Sequence, residues 1–183
     1  TLDQLRKDRM DWELVETGLS PTKGLPCIYL VRFMNRLFAR ANAIIKEIWY
    51  CDMELAYIEE KESLDFSIGV IFNKSTSAKD ISLCSKGQAG VIDLAFTLAL
   101  GIERGFLKQF PIILDEVDAN LTDEHRAKVV SVISEMIDSD VIHQLFLVNH
   151  FAAQTGLSKA DCVCLSTDGI VLPNEYNAHA VIS

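Results

Sequence analysis

Apolar residues recur at helical spacing from residue 27 to 49, with Ile28, Val31, Leu37, Ile44, Ile45 and Ile48 among them, and predict an amphipathic helix. The period then changes to two. Residues 52–59 and 64–72 alternate apolar and polar, as half-buried strands do, with Met53, Leu55, Tyr57 and Phe66, Ile68, Val70, Phe72 as inward faces. A polar loop is expected over 73–80. Helical spacing returns over 86–104, where Val91, Ile92, Leu94, Ala95, Leu98, Ala99 and Ile102 share a face. Short apolar runs at 111–115, 144–149, 162–166 and 169–172 read as strands, with a helix from Asp123 to about Asp138. Thr122 is a candidate cap for that helix, and its first turn carries two acids, where the helix dipole favours them. Residues 1–17 are charged, with Leu2, Leu5, Trp12 and Val15 apolar, and fit the last turns of a helix arriving from elsewhere. Glycine and proline breaks make 18–26 a connector.

The segment Pro-Ile-Ile-Leu-Asp-Glu-Val-Asp-Ala-Asn-Leu-Thr, from Pro111 to Thr122, carries the strongest chemical signal. An apolar run, Ile112-Ile113-Leu114, ends in two carboxylates, Asp115 and Glu116. A buried parallel strand has this pattern, apolar until it emerges at its carboxyl end, and open α/β sheets bind ligands at that end. A carboxylate there can hold a hydrated cation, and a second can polarise an attacking water. The strand–helix–strand unit over 111–149 should be parallel and right-handed. Its second strand ends in Asn149-His150, at the same crevice. Each feature also has a plainer reading: paired acids as a solvated strand end, and His150 as an ordinary strand-end histidine. His125, His143 and His179 receive no role. Upstream, Ser85-Lys86-Gly87-Gln88 has the Ser-x-x-Gln spacing of a capping box. A helix start is also a ready anion site, through its free N–H groups and partial positive charge.

Composition narrows the picture. The chain has 183 residues, 49% of them hydrophobic, enough for one sizeable domain with its own core. Its formal net charge of −9 does not suit a surface that grips a polyanion as a whole. Arg32, Arg36 and Arg40 recur every fourth residue on the first long helix and read as a solvated face, with a local basic patch as the alternative. Five cysteines, Cys27, Cys51, Cys84, Cys162 and Cys164, lie scattered in apolar segments and suggest a reducing cytoplasm rather than a disulfide framework. Cys162 and Cys164 read as core filler on one face of a strand, with a metal pair as the lesser alternative.

The order of these pieces resembles the ABC-type ATPases, and within them the SMC and SbcC group of DNA-repair ATPases. Asp115-Glu116-Val117-Asp118-Ala119 is similar to that group's Walker B and D-loop run, Cys84 to Gln88 to its signature motif, and His150 to its switch histidine. The resemblance covers about residues 18–172. No Gly-Lys-Ser/Thr phosphate loop occurs, and Lys23 lies in a stretch of the wrong order, interrupted by Pro21. The resemblance therefore implies an α/β fold, the carboxy-terminal lobe of an ATPase head. This lobe would have a mostly parallel sheet with flanking helices and a small antiparallel hairpin. Residues 1–17 would be the end of a coiled-coil arm and 18–183 the lobe itself. The Walker A lobe would lie on the same or a separate chain.

It further implies ATP and Mg2+ as cofactors, with Asp115 holding the metal and Glu116 and His150 catalytic. Ser85, Lys86, Gly87 and Gln88 would reach the nucleotide of the opposite head, although Ser85 cannot fully cap Gln88 while doing so. Lys86 stands where the family commonly has glycine. Asp118, Ala119 and Asn120 would form the D-loop. Implied partners are a second head, an SbcD-type metal-dependent nuclease and double-stranded DNA, in a cytoplasmic, DNA-associated setting without a membrane. The stretch Ser20-Pro21-Thr22-Lys23-Gly24-Leu25-Pro26 resembles bacteriophage versions of the subunit. An SMC- or RecF-like head without a nuclease is the runner-up. A non-catalytic dimerisation module, and a metal nuclease built on Asp115, Glu116 and Asp118, are readings of other classes.

Overall fold

The computed structural model describes residues 1–49, 52–59, 66–73, 76–78, 81–117, 119–148, 163–166 and 169–171. Two compact units divide the chain, Thr1–Glu103 and Arg104–Ser183.

The first unit opens with α1 (Leu2–Leu19), none of whose residues is buried. Pairs one turn apart, such as Arg9 to Glu13 at 2.8 Å, run along its surface. Gly24 caps the next helix, α2 (Leu25–Ile48), with Pro26 in the first turn, where a missing N–H costs nothing. A Cβ on Gly24 would lie 2.6 Å from the Ser20 carbonyl oxygen, so this tight connection needs glycine. It is shorter than the connector expected over 18–26, because α1 runs on to Leu19.

One stripe of α2 is buried, comprising Met34, Leu37, Phe38, Ala41, Ile44, Ile45 and Ile48. That spacing of three and four is the amphipathic pattern seen in the sequence. Strands β1 (Met53–Glu59) and β2 (Phe66–Phe72) form the antiparallel hairpin, in register from Met53 opposite Phe72 to Glu59 opposite Phe66. Met53, Leu55 and Val70 are buried, as expected, while Ile68 and Phe72 are half-buried. Part of the expected polar loop is instead a third strand, β3 (Thr76–Ala78), paired antiparallel to β2. A single 3-10 turn, Ile81–Leu83, leads to α3 (Lys86–Arg104). Its buried face includes Val91, Ile92, Leu94, Ala95, Leu98 and Ala99.

Two polar contacts fix this packing. The Asn42 amide on α2 brackets Leu55 of β1, accepting from the Leu55 N–H at 2.7 Å and donating to its carbonyl at 3.1 Å. The arginine stripe is not merely solvated. Arg36 and Arg40 both reach Glu103 on α3, at 3.0 and 3.1 Å, and the Glu103 side chain is only 12% exposed. The half-exposed arginines keep water access while their charges offset the cost of covering that carboxylate. Phe38 and Phe96 lie against each other beside this cross-link, ring centroids 6.4 Å apart.

The second unit begins with a short helix, α4 (Phe106–Gln109), after the left-handed Gly105. Strand β4 (Ile112–Asp115), helix α5 (Asp123–Asp138) and strand β5 (Leu145–Val148) follow. The two strands pair in parallel, Ile112 opposite Leu145 and Asp115 opposite Val148, as the sequence predicts. Val129, Val132 and Ile133 of α5 are buried together with Leu107, Leu114, Leu121 and Ile142. Strands β6 (Cys164–Ser166) and β7 (Gly169–Val171) form an antiparallel pair. The parallel pairing among the described strands is thus that of β4 with β5. Among the described residues, no helix is long and apolar enough to cross a membrane.

Replacing Asn42 with alanine removes both partners of a half-buried peptide group. The expected loss is about 1–3 kcal/mol, read as a lower urea midpoint at unchanged slope.

Candidate functional site

Strand β4 carries the acids to the end of the parallel pair. Leu114 faces the buried side, and Asp115 is exposed beside Val148, the last residue of β5. The strand stops at Glu116, whose φ is +49°, in the left-handed region. Its N–H donates to the Val148 carbonyl at 2.9 Å, and its own carbonyl accepts from Ala119 N–H at 3.0 Å, closing a tight turn. Glu116 is exposed like Asp115, so two carboxylates sit side by side at the carboxyl end of a parallel strand. Ala119 and Asn120 are exposed in the turn, and Leu121 is buried beneath it. Asp118 and His150 lie outside the described residues, although β5 ends two residues before His150.

Past the turn, Thr122 caps α5 as expected. Its Oγ1 accepts from the His125 N–H at 3.5 Å and lies 2.7 Å from His125 Nδ1. His125, without a role in the sequence reading, thus belongs to the cap.

The opposite end of the strand pair is tied by a charged cluster. Helix α5 ends with Asp140 in the left-handed region, at φ +59°. The Val141 N–H donates to the Met136 carbonyl, and the Asp140 N–H to that of Ile137, the two bonds of a Schellman closure. The Asp140 carboxylate accepts from Lys108 Nζ at 3.1 Å and lies 2.9 Å from His143 Nε2. Lys108 lies on α4, which precedes β4, and Asp140 and His143 precede β5. Backbone bonds from His143 N–H to Leu107, and from Ile112 N–H to Gln144, join the same ends. The hydrogen bond and charge of Lys108, with a further contribution from His143, hold the Asp140 carboxyl below its ordinary value of 3.8.

The first unit holds the other candidate motif. The Ser85 N–H donates to Gln88 Oε1 at 2.9 Å, and the Gln88 N–H donates to Ser85 Oγ at 3.2 Å, a reciprocal capping box at the start of α3. Ser85 and Lys86 are exposed, Gln88 is half-buried and Gly87 is buried. Ser85 Oγ is therefore engaged within the helix start, the plainer of its two readings.

The donor set at the strand end is oxygen only. One or two carboxylates plus water and phosphate oxygens is the set magnesium takes, so Asp115 fits that ion. Among the described residues, no three His, Cys, Asp or Glu side chains come together as a metal cluster. Three features escaped the sequence reading: the left-handed Glu116, the Glu103 cross-link and the Lys108–Asp140–His143 cluster. Only the cluster had a sequence signal, an aspartate directly after the helix end.

This arrangement belongs to a known class of fold. No protein-family profile and no curated protein sequence matches the chain. Solved structures do. An SMC ATPase structure, described in terms of ATP-driven dimerisation and DNA-stimulated activation, matches with a TM-score of 0.63 at 18% identity, over 84% of this chain and 94% of that one. The Smc head of Pyrococcus furiosus, with an extended coiled coil and bound to the C-terminal domain of ScpA, matches with a TM-score of 0.56 at 20% identity, over 82% of this chain and 38% of that one. The Smc head of Pyrococcus yayanosii, with a coiled coil and joint, gives 0.59 at 16% identity, over 82% and 30%. The fold is that of an SMC-type ABC ATPase head. The chain spans nearly all of the first structure's chain and well under half of the two Pyrococcus chains.

Ser85→Ala or Gln88→Ala should each cost about 1 kcal/mol by opening the capping box, measured by thermal unfolding. Asp140→Asn tests the cluster through pH. The folded carboxyl has the lower pKa, so its ionised contacts stabilise above pH 3.8 and that contribution is lost as pH falls through the folded value. Wild type should exceed Asp140→Asn in stability at neutral pH, and the difference should vanish in acid, as read from unfolding curves across that range.

Proposed function

We propose that this chain is the carboxy-terminal lobe of an SbcC-like ATPase head, one that binds and hydrolyses ATP and controls a partner nuclease at double-strand DNA ends. The observation that carries this reading is the exposed pair Asp115 and Glu116 at the carboxyl end of a parallel strand, within an SMC-type head fold. The opposite character of the sheet adds support. Ile113 on β4 is 69% exposed, and its register partner Phe146 and the next outward residue Val148 are about half exposed. Parallel strands are normally covered on both faces. An apolar face left open in this way suits a further lobe packed on it, the part that would contribute the Walker A loop.

Each residue has a role in this reading. The Asp115 carboxylate holds hydrated magnesium. The Glu116 carboxylate orients and polarises a water molecule and takes its proton. His150, following β5, donates a hydrogen bond at the same crevice. The start of α3, with Ser85, Lys86, Gly87 and Gln88, offers N–H groups and positive charge to a phosphate on a second head. Asp118, Ala119 and Asn120 carry the D-loop contact between heads. When bound, ATP with its magnesium supplies the phosphoryl bond to be broken and the charge these groups stabilise. Head closure with ATP, and reopening after hydrolysis, would gate DNA access to an SbcD-type nuclease in the cytoplasm.

The similar solved structures described above are of SMC proteins, which supports a second reading: an SMC- or RecF-like DNA-binding head without a nuclease partner. A Cys-x-x-Cys hook at the coiled-coil apex would distinguish the first reading, and a hinge domain the second.

The test is ATP hydrolysis by the complete two-lobe head with Glu116→Gln. Hydrolysis should fall by roughly 100-fold or more, while ATP-dependent dimerisation persists. A complete wild-type head that neither hydrolyses ATP nor dimerises with it would remove the ATPase reading. DNA cleavage with magnesium alone, lost on the same substitution, would point to a metal nuclease.

A further inference from the structure

Three described residues other than glycine have positive φ: Asn73, Glu116 and Asp140. Asparagine and aspartate reach the left-handed region most readily, because their short polar side chains bond their own backbone. Asn73 sits in the turn after β2, and Asp140 closes α5. Glutamate is not a residue type that favours this region, since its carboxylate is one methylene further out and its Cβ crowds the carbonyl that follows. Two backbone bonds pin its position, from Glu116 N–H to the Val148 carbonyl and from Ala119 N–H to the Glu116 carbonyl, and the first is the ladder bond that an extended residue would make as well.

The left-handed turn also decides where the side chain goes. Along a strand, residues two apart share a face. Leu114 is buried, so an extended continuation of β4 would send Glu116 to the same buried side, where an ionised carboxylate is heavily penalised. The turn at residue 116 breaks that alternation and leaves Asp115 and Glu116 exposed together.

We infer that the exit of β4 is a strained junction, in which Glu116 is left-handed so that its carboxylate stays beside Asp115. The native fold gives up stability at this residue for the placement of the acid. What the carboxylate does there rests on the ATPase reading above; the strain itself does not.

Glu116→Gly and Glu116→Ala in the full chain test it. Both lose the carboxylate and differ only by one Cβ. In a right-handed or extended backbone, glycine would be the less stable of the two. The strained junction predicts the reverse, with the glycine variant melting higher by about 2–4 °C. A second pair keeps the side chain polar: Glu116→Asn should melt above Glu116→Gln, because asparagine tolerates the left-handed region. Glycine at or below alanine, or asparagine at or below glutamine, overturns the inference. These melts contain no nucleotide, so they can fail while Glu116→Gln still abolishes hydrolysis in the complete head, and the reverse holds equally.

Discussion

Parallel registry of β4 with β5 is the constraint on which the site depends. It sets Asp115 opposite Val148, and through the Val148 carbonyl it holds Glu116 in its turn. A parallel pair cannot be closed by a short hairpin, so α5 must make the crossover, and its own ends have to be anchored. Thr122 and His125 anchor the start. The Schellman closure at Asp140 anchors the end and delivers the chain to β5 next to the point where α4 delivers it to β4. The acids stand at one end of this pair and the charged cluster at the other, so the strands are braced away from the chemistry and left open beside it.

The long periodic elements could be read from sequence because their signal is repeated many times over. Helices α2 and α3 and the hairpin fall close to their expected limits, and the sequence also marks the Ser85–Gln88 box and the Thr122 cap, since both depend on side chains three residues away. Strand β3 could not be read in the same way. Thr76, Ser77 and Ala78 have no apolar alternation, and they become a strand because the edge of β2 offers hydrogen bonds. Glu103 is one acid near a helix end, and nothing local announces that two arginines from another helix will meet it. The left-handed Glu116 lacks the glycine or asparagine that usually signals such a turn. Asp118 and His150 fall outside the described residues, and the roles proposed for them are read from sequence.

The two units carry different halves of the proposed chemistry. The strand end of the second unit gathers negative charge, suited to a hydrated cation and a water. The helix start of the first offers N–H groups and Lys86, suited to an anion. At present Ser85 and Gln88 satisfy each other there, so an incoming phosphate would have to replace those two hydrogen bonds with its own. In the proposed chemistry the helix start is therefore a site with an internal competitor, and its affinity for a phosphate would be the difference between two sets of contacts.

The Asn42 bracket has a consequence for how the protein behaves in a crowded solution. Strand β1 is one edge of its three-stranded sheet, and the free peptide groups of an edge are a template on which another chain can add a strand. The carboxamide of Asn42 occupies the N–H and carbonyl of Leu55 in mid-strand, as a neighbouring strand would, but it is a single side chain that cannot propagate. At the other edge, the described residues of β3 are Thr76, Ser77 and Ala78. The same amide that docks a helix thus also occupies the middle of an edge strand, where another chain would otherwise pair.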